Sequence, residues 1–259
     1  MTPHHHIVAV LVAGTLSLFS ASAAHAQASI DQSKALAGSV TPGDTPGFPV
    51  TLSVPGSYKL TGNLTVPAGQ SGINITVNGV TLDLNGFNIV GPNTCTRDYA
   101  SFVVSCTEAN TNNRGVQSFS VSGNTIRNGR VSGFSIGIQA GAGNVMEDLV
   151  VEHNYTGVTS TLYGGARALI RNVRSQHNAL AGFELRNTLV QGSTAGENGG
   201  AGFTGFTTVI LDSVSTSNLG SGIKGDSLVV GRSVVQDNKG GNILQSISLG
   251  GNLNGNVPY

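Results

Sequence analysis

The chain contains no tryptophan, and aromatic residues make up 5% of it. Charged residues are scarce too, at 10%, with 13 Lys plus Arg against 13 Asp plus Glu. This balance excludes the basic stripe of a nucleic-acid binder and leaves no polybasic patch for a membrane surface. The longest apolar run, Ile7 to Phe19, covers 13 residues, short of the roughly 20 that a spanning helix needs. Small residues follow it, ending in Ala24-His25-Ala26 before Gln27. This order reads as an export leader over residues 1–26, with His4, His5 and His6 where Lys or Arg is usual; a retained membrane anchor is the rival reading.

There are two cysteines, Cys95 and Cys106. In an oxidising compartment such a pair closes a disulfide that pins the loop of residues 90–114. Two free thiols are the alternative. A zinc site fits less well, because the neighbours Arg97, Asp98, Tyr99 and Glu108 include no histidine.

Against these scarcities stand 37 glycines and a repeat. Asparagine returns every 20 residues at Asn178, Asn198, Asn218 and Asn238, with Asn154 one step earlier across a four-residue insertion near residues 163–166. Beyond each asparagine comes an apolar residue: Ile138 opens the column, then Val158, Phe183, Phe203, Ile223 and Ile243. Eight residues before it runs another column, opened by Ile126 and continued by Met146, Ile170, Val190, Ile210 and Val230. A period this short, built of β-branched runs broken by Asn, Ser and Gly, cannot hold a helical hairpin and predicts a solenoid of strands. One unit is then one coil of a parallel β-helix. Coils stack at about 4.8 Å, so residues one period apart become vertical neighbours, and the asparagines can form an amide ladder.

Residues 27–72 hold Pro42, Pro46, Pro49, Pro55 and Pro67 and no 20-residue register, and are expected to form an N-terminal lead-in and cap. Residues 73–249 are expected to form the helix, interrupted by the 90–114 loop, with residues 250–259 as a C-terminal tail. Two Gly-x-Gly-x-x-Gly matches, at Gly200 to Gly205 and Gly220 to Gly225, occupy the same coil position and read as turn glycines, not as a dinucleotide site.

The segments Gly43-Asp44-Thr45-Pro46-Gly47-Phe48-Pro49-Val50, Gly56 to Leu64, Val80-Thr81-Leu82-Asp83-Leu84-Asn85-Gly86-Phe87 and Ile126-Arg127-Asn128-Gly129 resemble exported bacterial right-handed parallel β-helix repeat proteins of the pectin-lyase-like superfamily. That superfamily includes pectate lyases, polygalacturonases and alginate epimerases. The resemblance implies an all-β, right-handed parallel β-helix, a secreted or periplasmic location and polysaccharide as the partner class. The superfamily's catalytic signatures do not carry over: the Asp-Pro-His-Asp of alginate epimerases and the Arg-x-Pro-x-x-Arg of pectate lyases are missing. Of the polygalacturonase motifs only Gly222-Ile223-Lys224 comes near one. The one acidic pair, Glu147-Asp148, is expected to point to opposite faces of a strand, whereas inverting hydrolysis needs two carboxylates facing one bond.

One polar cluster follows from stacking the coils. The position before the asparagine column carries His153, His177 and Glu197, then Ser217 and Asp237. Arg130 and Arg174 lie three positions before the histidine column, and Tyr155, Tyr163 and Tyr99 are the aromatics able to stack on sugar. Arg127, Glu147 and Arg171 should alternate in charge along a second column. The candidate binding patch is therefore His153, His177, Glu197, Arg130, Arg174 and Tyr155. A solvated face, a glycan site, or catalysis and metal binding are its possible meanings; a His-His-Glu trio can ligate zinc but needs a tight second shell. No cofactor is expected, no metal ligand is assigned, and the repeat sets no oligomeric state. The favoured function is a noncatalytic exported β-helix associated with polysaccharide, or a structural one. The alternative is a lyase, hydrolase or epimerase with an unfamiliar site.

Overall fold

The computed structural model describes residues 27–107, 112–160 and 167–255. The leader expected over residues 1–26, Glu108, Tyr163 with the insertion around it, and the last four residues of the tail lie outside the described residues.

The chain winds into a parallel β-solenoid of about 9 turns. Each turn contributes up to three strands, and every pairing between coils among the described residues is parallel. The periodic columns hold. Ile126, Met146, Ile170, Val190, Ile210 and Val230 are direct register partners and fully buried. Ile138, Val158, Phe183, Phe203 and Ile223 form the second buried column, with Ile243 following in register.

A third inward column runs Val131, Val151, Ser175, Ala195, Ser215 and Val235. Its residues shrink where the facing column swells. Phe183 and Phe203 stack with ring centroids 4.7 Å apart, and Ser175, Ala195 and Ser215 make room beside them. Such alternation of large and small keeps a narrow core at native packing density. The buried hydroxyls of Ser175 and Ser215 each donate to a backbone carbonyl across the coil, Gly182 and Gly222, at 2.7 Å.

Residues 27–72 hold the strand Ala28–Ile30, the helix Gln32–Ala37 and a coil of three strands, Val50–Leu52, Gly56–Leu60 and Leu64–Thr65. That coil already stacks in parallel on Ile73–Ile75, Val80–Asp83 and Asn88–Val90, so solenoid pairing reaches into the proline-rich segment. The helix starts at Asp31, whose side chain accepts from the Lys34 amide at 2.8 Å.

Between coils, residues 95–106 leave the stack. Strands Cys95–Arg97 and Val104–Cys106 form an antiparallel hairpin closed by a Cys95–Cys106 disulfide.

Candidate functional site

Each coil turns its corners on residues in left-handed backbone. One corner column comprises Asn128, Asp148, Asn172, Gly192, Asp212 and Arg232, all with φ between 48° and 60°. A second comprises His153, His177, Glu197, Ser217 and Asp237, with φ between 53° and 57°. Asn, Asp and Gly dominate the first column because they tolerate this conformation best. The second is unusual in carrying histidine and glutamate. Such a residue thrusts its side chain outward at the corner, while the asparagine after it folds inward.

Those asparagines form the expected ladder, and it is buried: Asn154, Asn178, Asn198 and Asn218 are inaccessible to solvent. The side-chain oxygen of Asn198 accepts from both the backbone amide and the side-chain amide of Asn178, at 3.1 and 2.9 Å. Its own side-chain nitrogen donates to Asn218 Oδ1 at 2.9 Å and to the Ser175 carbonyl at 3.1 Å. The pattern repeats from Phe134, whose amide donates to Asn154, to Asn238. Two shorter ladders escape the sequence reading: Asn124 with Asn144, and Ser193, Ser213 and Ser233.

The structure brings His153, His177 and Glu197 together. The two imidazoles stack with centroids 5.2 Å apart, and His177 Nε2 lies 3.1 Å from a Glu197 oxygen. Glu152, absent from the sequence-derived set, joins them: its carboxylate is 3.8 Å from His153 Nδ1, pairs with Arg130, and accepts from Gln176 Nε2 at 2.8 Å. Burial lowers the pKa of both histidines below the usual imidazole range. Arg130 adds to the effect at His153; His153 and Arg97 add to it at His177. Both effects favour the neutral form of each ring.

The disulfide hairpin lies over this corner as a strap. Cys95 Sγ sits 3.0 Å from the His153 carbonyl, and Cys106 Sγ 3.7 Å from that of Asn154. Two coils further, the nearly buried Arg97 side chain ion-pairs with Glu197 and donates to the Ser217 carbonyl at 3.3 Å. At the far end Lys239 Nζ stands 3.9 Å from the Phe102 ring centre. Four coil steps of about 4.8 Å put the strap's reach at about 19 Å. Tyr99, read as a sugar platform, lies within this strap beneath the Arg97 guanidinium, 5.2 Å away, and remains 71% exposed.

Of the other predicted residues, Arg130 reaches the cluster through Glu152, and the rest lie apart from it. Arg130 and Arg174 are exposed and two coils apart with Val150 between them, and Arg174 lines a shallow pocket with Asp148 and Asn172 instead of reaching the histidines. Tyr155 lies half-buried just past the Asn154 corner. Arg127, Glu147 and Arg171 are vertical neighbours as expected. Glu147 pairs upward with Arg171, and Arg127 turns to Asp83, 3.3 Å away. Glu147 and Asp148 do not split between faces: the left-handed bend at Asp148 leaves both outside, with Asp148 bonded to Asn172 at 2.6 Å.

A second feature was not singled out in the sequence. On the face after the asparagine corner, Gln139, Thr159, Glu184, Thr204 and Lys224 are successive register partners. The first four of them floor a half-open groove of about 520 Å³, with Arg186, Phe206 and Asp226 along it. Phe206 is 43% exposed, and the Thr159 hydroxyl is buried without a hydrogen-bond partner. Gly205 and Gly225, read as turn glycines, lie in strands and flatten the groove floor. Solvent still reaches Glu184, yet crowding by the groove walls raises its pKa, which Lys224 partly offsets. The signal for this groove was in the repeat, one position after each residue of the second apolar column.

No protein-family model matches the sequence, and no curated protein matches it. Solved structures do resemble it in fold. The periplasmic alginate epimerase AlgG superposes with a TM-score of 0.53 at 13% identity, covering 78% of this chain and 51% of that one. The A-module of the mannuronan C-5 epimerase AlgE4 from Azotobacter vinelandii gives 0.52 at 13% identity, covering 73% of this chain and 65% of that one. This chain thus spans about half the length of the first and under two thirds of the second. Its parallel β-solenoid is consistent with the right-handed β-helix of the pectin-lyase-like proteins.

Proposed function

We propose that the protein is an exported, noncatalytic β-helix that binds an extended polysaccharide segment in the groove floored by Gln139, Thr159, Glu184 and Thr204. The observation that carries this reading is the groove itself. It crosses five stacked strands, about 19 Å of solenoid, with a polar side chain at every coil and one exposed aromatic ring, Phe206. Polar groups repeating at the strand spacing suit a repeating, hydroxyl-rich chain laid along the solenoid axis. The fold's occurrence in an alginate epimerase and a mannuronan C-5 epimerase supports polysaccharide as the ligand class.

At the other corner, the carboxylates of the histidine cluster are engaged. Glu197 is held by Arg97, Glu152 by Arg130, and the strap crosses the histidine column. These ion pairs speak against Glu197 and Glu152 serving as acid and base. A disulfide and a β-solenoid without a membrane-length helix among the described residues fit a secreted or periplasmic protein.

One observation favours the enzymatic alternative: a groove carboxylate, Glu184, with a raised pKa, as in many general acids. The test is a titration of the full chain against alginate, polygalacturonate and neutral glucans, with parallel assays for unsaturated products and new reducing ends, with and without calcium. Binding without product supports the proposal. Product formation replaces it with a lyase, hydrolase or epimerase, and failure to bind any glycan leaves a structural role.

A further inference from the structure

We propose that Glu152, His153 and His177 form a zinc(II) site at the edge of the strap. The three offer one donor atom each, all within 4.8 Å of one another, from two adjacent coils. A carboxylate can only accept, so the Glu197 oxygen 3.1 Å from His177 Nε2 fixes the hydrogen on that nitrogen. The lone pair is thereby placed on Nδ1, which is buried and has no hydrogen-bond partner. A buried acceptor without a donor is costly, and a cation satisfies it.

The donor set is two imidazoles and one carboxylate with a fourth position left open, a set that zinc accepts readily. The second shell that the sequence alone could not supply is present: Glu197 orients His177, and Gln176 holds the other oxygen of Glu152. Arg130 is the competitor, since it pairs with the Glu152 oxygen that the ion would take. Its side chain is 45% exposed and can swing into solvent. Zinc binding therefore exchanges one cation for another at Glu152.

The experiment uses the full chain with His4, His5, His6 and His25 replaced by serine, so that the leader contributes no imidazole. Cobalt(II) is titrated while its ligand-field absorption is followed, then displaced by zinc(II) against a competing chelator. We expect one ion per chain. His153→Ala and His177→Ala should each weaken zinc binding at least about 100-fold, and Glu197→Gln by about 10-fold, as removal of an orienting partner does. Arg130→Ala should tighten it, a gain that misfolding cannot mimic. The absence of saturable binding, unchanged affinity in His177→Ala, or weaker binding in Arg130→Ala would overturn the proposal.

Discussion

At the scale of single residues, the corner of each coil divides labour between two neighbours. The asparagine faces in and satisfies backbone groups that no strand pairing reaches; the residue before it accepts left-handed backbone and faces out. These roles predict opposite mutational behaviour. Asn198→Ala removes the acceptor of the Asn178 backbone amide, which is buried, and opens a small cavity. We expect a loss of about 2–4 kcal/mol in chemical denaturation, combining an orphaned donor with lost packing. Ser217, at φ 56°, should tolerate glycine with no loss or a slight gain, whereas Ser217→Val should cost about 1–2 kcal/mol because a β-branched side chain clashes there.

Glu184 makes a pH prediction of definite sign. Its folded pKa is raised, so it contributes stability below the ordinary carboxylate pKa, and that contribution is lost as pH rises through the folded value. Glu184→Gln should therefore melt higher than the parent at pH 7 and match it near pH 4, about the ordinary carboxylate pKa. Equal melting temperatures at both values would show that the groove does not desolvate this carboxyl.

At the scale of elements, the strap is an addition to a solenoid that is closed without it. Its contacts include those of the disulfide, Arg97, Phe102 and the buried Val104 beside Gly199, and neither of its strands pairs with a coil. Replacing Cys95 and Cys106 together by serine should release it. The expected signs are rapid proteolysis near Tyr99 and Phe102 and a stability loss of about 2–4 kcal/mol, the usual worth of a disulfide. Far-ultraviolet circular dichroism should be unchanged. A loss of β-signal in this variant would mean that the strap is part of the folding unit itself.

At the scale of the whole molecule, a period of 20 residues carried most of the architecture. Column membership follows from the spacing once the four-residue insertion near residues 163–166 is allowed for, which stacks Met146, Ile170 and Val190 and with them the histidines. The left-handed corners were hidden because nothing local marks His153 or Glu197 as such; the conformation is imposed by the coil above and below. Arg97 was hidden for another reason: it lies 100 positions from Glu197 in sequence, and a hairpin that leaves the repeat obeys no register. The groove could have been read by following the outward neighbour of each apolar residue, yet Glu184 and Thr204 differ in chemistry and form no motif. A site spread over five coils by shape leaves a weaker mark than a ladder of one residue type.

The central claim, that this β-helix holds a polysaccharide in the groove without cleaving it, is tested most directly by calorimetric titration of the full chain with alginate, polygalacturonate and a neutral glucan, alongside Phe206→Ala. The account predicts saturable binding of at least one glycan, no product, and affinity about 10-fold weaker in the variant, the effect of losing one aromatic contact of about 1.4 kcal/mol. Product formation, or binding that ignores the loss of Phe206, would contradict it.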